Sequence, residues 1–265
     1  MIKTYKNGND FYKENKDFLL KNIYTEVFFR LDSPLLLKTN KFEYALQASN
    51  ENSKLLVLKK EPYNILFFGD FELVPELIDY LVDNRFELKD YLSPIDLGDK
   101  IKEYFSTKNI QYDLTLGMDF MEAHEKCDID TKEVESATLD DLDEVFDLTN
   151  RFIKDCGLNS VHTKEKLKEK IETYRLIRKD DKIVSMAHLY ENSSKDYKIS
   201  MVYTRDEYRG MGYAKEVCGY ILNEIIDKGY YATLNVDINN PISNHVYKSI
   251  GFKRLFSQGI YSLKK

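Results

Sequence analysis

The sequence contains no tryptophan and few cysteines, prolines and glycines: 3, 5 and 11 among 265 residues. Cys127, Cys156 and Cys218 lie far apart, and no CxxC motif or Cys/His cluster points to zinc, so we expect no bound metal. A small, odd number of cysteines is typical of proteins in the reducing cytoplasm and argues against a disulfide-stabilised secreted domain.

Long apolar runs are also lacking. No segment approaches the roughly 20 apolar residues of a membrane-spanning helix, and the first residues, MIKTYKN, lack the apolar core of a signal peptide. The sequence thus predicts a cytoplasmic protein without a membrane segment. Its net charge of −6 disfavours a general nucleic-acid-binding surface.

The chain does have enough apolar material for a folded core. Hydrophobic residues make up 43% and aromatic residues 13% of it, in a length that suits one large or two modest domains. The charge is uneven, because residues 1–130 carry 24 acidic and 17 basic side chains. Such an excess most often means a solvated surface, and the alternative is a cleft that attracts cationic amines.

Hydrophobic periodicity predicts a mixed α/β fold in both halves. In the first half we expect a helix at 10–30, strands at 42–48, 54–60, 64–68 and 111–118, and helices at 74–84 and 96–105. In the second half we expect strands at 134–137, 174–177, 183–190, 197–204, 231–238, 252–257 and 259–263, and helices at 138–156, 163–171, 215–227 and 241–249. The polar stretch 122–132 predicts a boundary between domains 1–128 and 129–265.

The segment Arg209-Gly210-Met211-Gly212-Tyr213-Ala214 lies between a predicted strand and a predicted helix. Glycines let the backbone approach an anion, and the first amides of a helix point at it. No Gly-Lys-Ser/Thr follows, so this is not a Walker loop, and its place is wrong for a dinucleotide fingerprint. Taken alone, the turn is either a phosphate-binding loop or an ordinary connection.

A second segment, residues 240–252, strengthens the first interpretation. Asn240-Pro241 ends a strand and begins a helix, with proline where its missing N–H costs little. The side chains of Asn240 and Ser243 are suited to hydrogen-bond the amides of a ligand. Tyr247 has two readings: an aromatic anchor of the helix, or a phenol that donates a proton to a leaving thiolate.

Together these segments resemble the GNAT superfamily of N-acetyltransferases. Arg209-Gly210-Met211-Gly212-Tyr213-Ala214 matches the family signature Q/R-x-x-G-x-G/A. Asn240-Pro241-Ile242-Ser243-Asn244, Tyr247 and Gly251-Phe252 resemble the family's C-terminal segment. The resemblance covers residues 133–265. The first half, with a similar order of elements, loosely resembles a degenerate GNAT half, so two tandem GNAT-like domains are expected.

The resemblance implies acetyl-CoA as cosubstrate, held where the central sheet splays open. Val202, Tyr203 and Thr204 would offer main-chain groups to the pantetheine arm, and Asn240 would hydrogen-bond the same arm. The amides of 209–214 would hold the pyrophosphate. A neutral amine would attack the thioester directly, with its carbonyl polarised by a strand N–H, and Tyr247 would protonate the departing CoA thiolate. Cys218 is then expected to be a packing residue.

Several points stay open from the sequence. The general base has three candidates, Glu191, Asp237 and His188, each with a structural alternative, and His245 lies beside the ligand helix. A proton path through water would need none of them.

The first half is predicted to bind no CoA, because Gly69-Asp70-Phe71-Glu72 stands where a cofactor loop would and carries two acids. The expected activity is acetyl transfer to a primary amine of a small molecule, by a monomer or homodimer. The alternative is a non-catalytic acyl-CoA sensor or partner-binding protein.

Overall fold

A computed structural model describes residues 1–21, 42–61, 63–157, 162–191 and 196–264 of the chain. They form two compact units, each discontinuous in sequence. Unit 1 contains residues 1–119, 237–239 and 256–265, and unit 2 contains residues 120–236 and 240–255. The division into domains 1–128 and 129–265 remains a prediction. Each unit is described by itself below.

Unit 1 is a sheet with helices on both faces. Its elements are β1 (Ile2–Thr4), α1 (Gly8–Lys21), β2 (Tyr44–Ser49), β3 (Lys54–Lys59), β4 (Ile65–Gly69), α2 (Val74–Asp83), β5 (Tyr91–Pro94), α3 (Ile95–Thr107) and β6 (Tyr112–Ala123) as far as Asp119. Leu55 and Val57 of β3 pack on the side of α2 and α3, whereas Leu56 and Leu58 pack on the side of α1. Burial on both faces explains why β3 is an unbroken apolar run.

Unit 2 has a second sheet, again covered on both faces. Its elements are β7 (Glu135–Ser136), α4 (Leu142–Asp155), α5 (Lys164–Lys168), β8 (Tyr174–Lys179), β9 (Lys182–Glu191), β10 (Asp196–Thr204), α6 (Tyr213–Asp227), β11 (Tyr231–Asp237) as far as Val236, α7 (Pro241–Ser249) and the start of β12 (Lys253–Leu263). α6 packs on one face through Val217, Ile221 and Leu222, and α4 packs on the other through Val145 and Leu148.

The same succession of strands occurs in both units. In unit 1, β2, β3 and β4 are antiparallel neighbours, and β5 runs parallel to β4. In unit 2, β8, β9 and β10 are antiparallel neighbours, and β11 runs parallel to β10. A helix separates the parallel strands each time. The expected mixed α/β fold class is confirmed, and the first half repeats the strand order of the second.

Most predicted elements are present, with shifted bounds. α1 begins at Gly8, and its predicted continuation to 30 lies outside the described residues. The two C-terminal strands are one strand, Lys253–Leu263. Gly259 lies inside it, where a Cβ would meet the side chains of Leu114 and Tyr261. β1 and β5 were not predicted, since three and four residues are too short for a periodic signal.

Candidate active site

The glycine-rich turn has a backbone that only glycine adopts without strain. Gly210 has φ +78° and Gly212 has φ +90°, both in the left-handed region. Gly212 is the N-cap of α6. A Cβ on either glycine would meet nothing within 4 Å, so open space adjoins the first turn of the helix. The amides of Tyr213 and Ala214 precede the first helical hydrogen bond, from the Glu216 amide to the Gly212 carbonyl, which suits the turn to an anion.

β10 and β11 are paired only where they begin. The parallel ladder joins 196–198 to 231–233, although the strands are nine and seven residues long. The ladder ends at Lys198 and Thr233, so the second halves of both strands continue without this pairing. A parallel pair that opens towards a glycine-rich turn matches the splayed sheet expected around a pantetheine arm.

A β-bulge lies immediately beyond the end of that ladder. Ser200 pairs with His188 of β9, but Tyr203 pairs with Met186, so β10 holds one extra residue. Met201 has φ +49°. The Tyr203 side chain is buried on the face of α4, so only its main chain is suited to contact a ligand.

Hydrogen bonds already engage parts of this strand edge. The Thr204 hydroxyl lies 2.9 Å from Ser185 Oγ, and the Tyr203 carbonyl accepts from Ser185 at 3.3 Å. Val202 is half-buried and packs on the side of α6.

Arg209 ties the turn to its surroundings. Its Nε donates to the Thr204 carbonyl at 3.1 Å, and its Nη2 lies 2.7 Å from Asp206 and 3.1 Å from Asp155. The guanidinium also lies over the Tyr203 ring, 5.8 Å from its centroid. About half of the side chain remains exposed. Arg209 thus fixes the turn and keeps a positive charge beside it, and Met211, 61% exposed, adds an apolar side chain.

Asn240 is the N-cap of α7. Its Oδ1 accepts a hydrogen bond from the Ser243 amide at 3.0 Å, as expected of an N-cap asparagine. Asn240 is exposed and Ser243 is half-buried. The side-chain oxygen therefore has a structural task, and the amide nitrogen of Asn240 is the group suited to a ligand.

Tyr247 is buried, with 7% of its surface exposed. Its ring packs edge-on against Phe252 at 6.2 Å between centroids. Burial, with smaller effects from the Cys218 and Cys156 thiols, raises the pKa of Tyr247 well above its usual value. The phenol is therefore protonated at neutral pH and able to donate. Anchoring α7 and donating a proton are compatible tasks for one tyrosine.

The candidate bases differ sharply in environment. Asp237 accepts the Asn239 amide at 2.8 Å and closes the end of β11, while Glu191 and His245 are exposed. His188 is buried, and burial, with the nearby charges of Lys170 and His162, lowers its pKa to about 4. Protonating it from an ordinary alkylammonium, whose pKa is about 10, is uphill by about 8 kcal/mol. His188 is therefore unsuited to take the proton of a free ammonium.

Cys218 is fully buried in the core of unit 2. Burial raises the pKa of its thiol to about 12, so it stays protonated and packs, as the sequence indicated. Among the described residues, no group of three His, Cys, Asp or Glu side chains is placed to hold a metal. In that same part of the chain, no helix combines the length and the apolar surface needed to cross a membrane.

Arg205 was not a candidate from the sequence, although it holds the loop between β10 and the glycine-rich turn. Its Nη2 donates to Glu144 of α4 at 2.7 Å, and its Nε donates to the Ile183 carbonyl at 2.7 Å. The Ile183 amide donates to the same carboxylate at 3.0 Å. Partners 61 residues apart leave no local pattern, so no sequence signal marks this contact.

Comparisons with known proteins agree with this geometry. A model of the acetyltransferase (GNAT) family matches residues 139–252. No curated protein matches the chain. Among solved structures, it is similar to a GNAT-family acetyltransferase from Colwellia psychrerythraea, with TM-score 0.61 and 11% identity over 99% of this chain and 98% of that one.

Two further structures share the fold. A GCN5-related N-acetyltransferase from Sphaerobacter thermophilus has TM-score 0.57 and 15% identity over 83% of this chain and 80% of that one. A glucosamine N-acetyltransferase region of a fungal multi-domain GH3 β-N-acetylglucosaminidase has TM-score 0.56 and 12% identity, over 98% of this chain and 38% of that one. At such identities the likeness concerns the fold, and it extends over the first half as well.

The family match spans α4 to α7 and therefore includes the open β10–β11 pair, the glycine-rich turn and Tyr247. Members of this family carry out acyl-CoA-dependent acetyl transfer. Residues 139–252 thus form an acetyltransferase domain of the GNAT family.

Proposed function

We propose that the protein is an acetyl-CoA-dependent N-acetyltransferase that acts on a primary amine of a small molecule, with residues 129–265 as its catalytic domain. One observation carries the proposal: the turn at 209–214 opens α6 with two left-handed glycines and adjoins open space. Main-chain donors without side-chain bulk suit a pyrophosphate.

The remaining contacts to the donor follow from position. The edge of β10 at Val202, Tyr203 and Thr204 lies just before the turn and beyond the end of the β10–β11 ladder. The Asn240 amide nitrogen and the Ser243 side chain stand at the start of α7, the helix that follows β11. These groups are suited to hold the pantetheine arm, while 209–214 holds the phosphates.

Acetyl-CoA supplies an activated acyl group, and the chain's own groups then handle protons. A neutral amine forms the new N–C bond as the C–S bond breaks. The amine loses one proton to the bulk solvent along a path of water molecules, because the buried candidate base, His188, has a pKa of about 4 and holds a proton poorly. The thiolate gains one proton from Tyr247, whose burial keeps its hydroxyl protonated.

The acceptor is proposed from one structural neighbour and from the charge of the first half. One structural neighbour is a glucosamine N-acetyltransferase region, which is a precedent for an amino sugar, and residues 1–130 are acidic, which favours cationic amines. We propose a small-molecule acceptor and no nucleic-acid partner, in a cytoplasmic monomer or homodimer.

Unit 1 is proposed to shape the protein without binding CoA. The loop after β4 corresponds in strand order to the turn at 209–214, which follows β10. In this loop Asp70 Oδ2 accepts a hydrogen bond from the Lys54 amide at 2.7 Å, and Glu72 accepts one from the Ser53 hydroxyl at 2.7 Å. A Cβ on Gly69 would lie 2.1 Å from the Lys54 carbonyl. Two carboxylates and a closed backbone suit this loop poorly to a pyrophosphate.

Release of free CoA thiol from acetyl-CoA across a panel of amines tests the function. The panel should contain amino sugars, aminoglycosides, polyamines, amino acids and a lysine peptide. We expect turnover with at least one small amine and a preference for cationic ones. Tight CoA binding without turnover on any amine would instead support the sensor alternative, and turnover on the peptide alone would replace the small-molecule acceptor.

A further inference from the structure

A hydrogen bond between β9 and β10 lies at the point where β10 leaves β11. His188 of β9 pairs with Ser200 of β10, and its Nδ1 lies 3.2 Å from Ser200 Oγ. The β10–β11 ladder ends at Lys198, two residues before Ser200. This bond therefore links β9 and β10 at the last regular pair before the bulge, close to the place where β10 and β11 separate.

The residues after Ser200 are held in an unfavourable conformation. Met201 has φ +49°, and a non-glycine residue in the left-handed region is costly unless its neighbours impose it. The extra residue of the bulge turns the peptide groups of Met201 and Val202 away from the regular ladder. Ser200, fixed from the side by His188, is the residue from which this turn begins.

His188 is held rigidly. Its ring stacks on Tyr174 of β8 at 4.6 Å and 21°, and on Tyr190 of its own strand at 5.5 Å and 25°. The side chain is buried. Two stacked rings fix the plane of the imidazole, so the imidazole sets the position of the smaller Ser200 hydroxyl rather than the reverse.

The second ring nitrogen of His188, Nε2, indicates that this histidine does more than stabilise the fold. Among the described residues, Nε2 is buried and has no hydrogen-bond partner, which is unfavourable in a folded protein. Phenylalanine would stack between the same two tyrosines without leaving such an atom. A histidine in this layer therefore needs a reason, and the bond from Nδ1 to Ser200 supplies one.

We propose that His188 is a positioning residue for acetyl transfer, which, through Ser200, holds the bulge of β10 so that its main-chain N–H meets the thioester carbonyl. The inference rests on the proposed function. It adds a device in β9, one strand away from the edge at 202–204. A preorganised N–H aimed at a developing oxyanion is worth a large factor in rate, and a displaced one loses most of it.

The direct test is the carbonyl signal of bound acetyl-CoA labelled with ¹³C at the acetyl C1, recorded by NMR without acceptor. In the wild type we expect a shift to lower field than in free acetyl-CoA, because an N–H polarises the carbonyl. In His188→Phe and in Ser200→Ala the signal should move back towards the free value. CoA affinity by calorimetry should stay within twofold, since the phosphates are held at 209–214.

Kinetics and stability complete the test with the best amine from the panel. Each single variant should lose about 10- to 100-fold in kcat, and the double variant should be no slower than either, because both changes break one bond. His188→Asn, whose amide lies near the Nδ1 position, should recover part of the rate. His188→Phe should not lower the melting temperature.

A matched control is Thr233→Val. It removes the buried hydrogen bond that the Thr233 hydroxyl of β11 donates to Asp196 of β10 at 3.0 Å, where the two strands are paired. It should lose stability but keep kcat and the carbonyl shift.

Unchanged carbonyl shifts in both variants would overturn the positioning role, as would multiplicative losses in the double variant or a kcat loss explained by a lower melting temperature. A wild type that binds no CoA would instead overturn the proposed function, and this inference with it.

Discussion

Tyr247 shows how one buried side chain serves packing and chemistry together. Its ring lies in the core of unit 2 against Phe252, and the same burial raises the pKa of its phenol. A phenol with a raised pKa is a weaker acid, but it is protonated at neutral pH and therefore carries the proton that the thiolate needs.

Replacing Tyr247 with phenylalanine tests that role at the scale of one atom. We expect kcat to fall by roughly 10²-fold, with CoA affinity nearly unchanged, because the ring and its packing remain. Steady-state kinetics and calorimetry provide the two numbers. A variant with wild-type kcat would return Tyr247 to packing alone.

Two glycines with left-handed backbones flank α6 and permit a comparison of its two ends. Gly212 precedes α6 and Gly229 follows it, with φ +90° and +82° and open space beside both. Substituting glutamate at either position imposes similar backbone strain, of about 1–2 kcal/mol. Only the substitution at 212 places a carboxylate at the proposed phosphate site.

We therefore expect Gly212→Glu to weaken CoA binding by about 100-fold or more, equivalent to roughly 2.7 kcal/mol. Gly229→Glu should bind CoA normally while losing a similar amount of stability. Calorimetry with CoA and thermal melting of both variants measure the two effects. Equal affinities in the two variants would show that the turn does not hold the phosphates.

At the scale of elements, an ion pair fixes α6 on the sheet of unit 2. Arg175 of β8 binds Glu224 of α6 through two hydrogen bonds of 2.8 Å, with side chains 10% and 20% exposed. Burial raises the pKa of Glu224, but hydrogen bonds and charges from Arg175 and Lys228 outweigh it and hold the pKa below its usual value. The pair therefore holds the C-terminal part of α6 against β8.

The pH dependence of this anchor follows from the direction of the shift. Because the folded pKa is below the unfolded one, the pair contributes stability above about pH 4.3 and loses it as the pH falls through the folded pKa. Glu224→Gln should lower the free energy of unfolding by about 1–2 kcal/mol at pH 7, and the difference should shrink below pH 4. Denaturation of Glu169→Gln, an exposed control, should show no such trend; a constant deficit for Glu224→Gln at all pH values would contradict the account.

The sequence predicted elements better than it predicted their limits or partners. The tight turn at Asp180 and Asp181, with φ +49° and +62°, and the helix after Asn240 have local signals, namely polar turn residues and a cap. The bulge at Met201 has none, because the surrounding sheet imposes its conformation. For the same reason the bond from His188 to Ser200 could not be read from residue types, although His188 itself was a candidate.

For the whole molecule, the least predictable feature is that most of the last strand, β12, belongs to unit 1. Residues 258–261 of β12 pair with 91–94 of β5 in unit 1. Tyr261 is fully buried there, stacks on Tyr91 at 4.6 Å and donates to Asp99 at 2.9 Å. Gly98 leaves room for its ring, since a Cβ would lie 2.3 Å from it. A pairing over so many residues leaves no local trace in the sequence.

Tyr261→Ala should therefore destabilise the first half of the chain from a position near its end. We expect a loss of about 3–5 kcal/mol from the cavity, seen in denaturant unfolding, with early proteolysis within residues 1–119. Lys264→Ala, an exposed change just after the strand, should be neutral. If Tyr261→Ala led to cleavage only within 120–236, β12 would not be part of the first unit's core.

The division of unit 1 between residues 1–119 and 256–265 also has a consequence for synthesis. When a ribosome has translated only the first half, the strand that pairs with β5 has not yet been synthesised. The edge of β5 therefore stays unpaired while more than a hundred further residues are translated. At about 5–20 residues per second, this interval lasts on the order of ten seconds. During it, an unpaired strand edge is a target for chaperones and for other nascent chains.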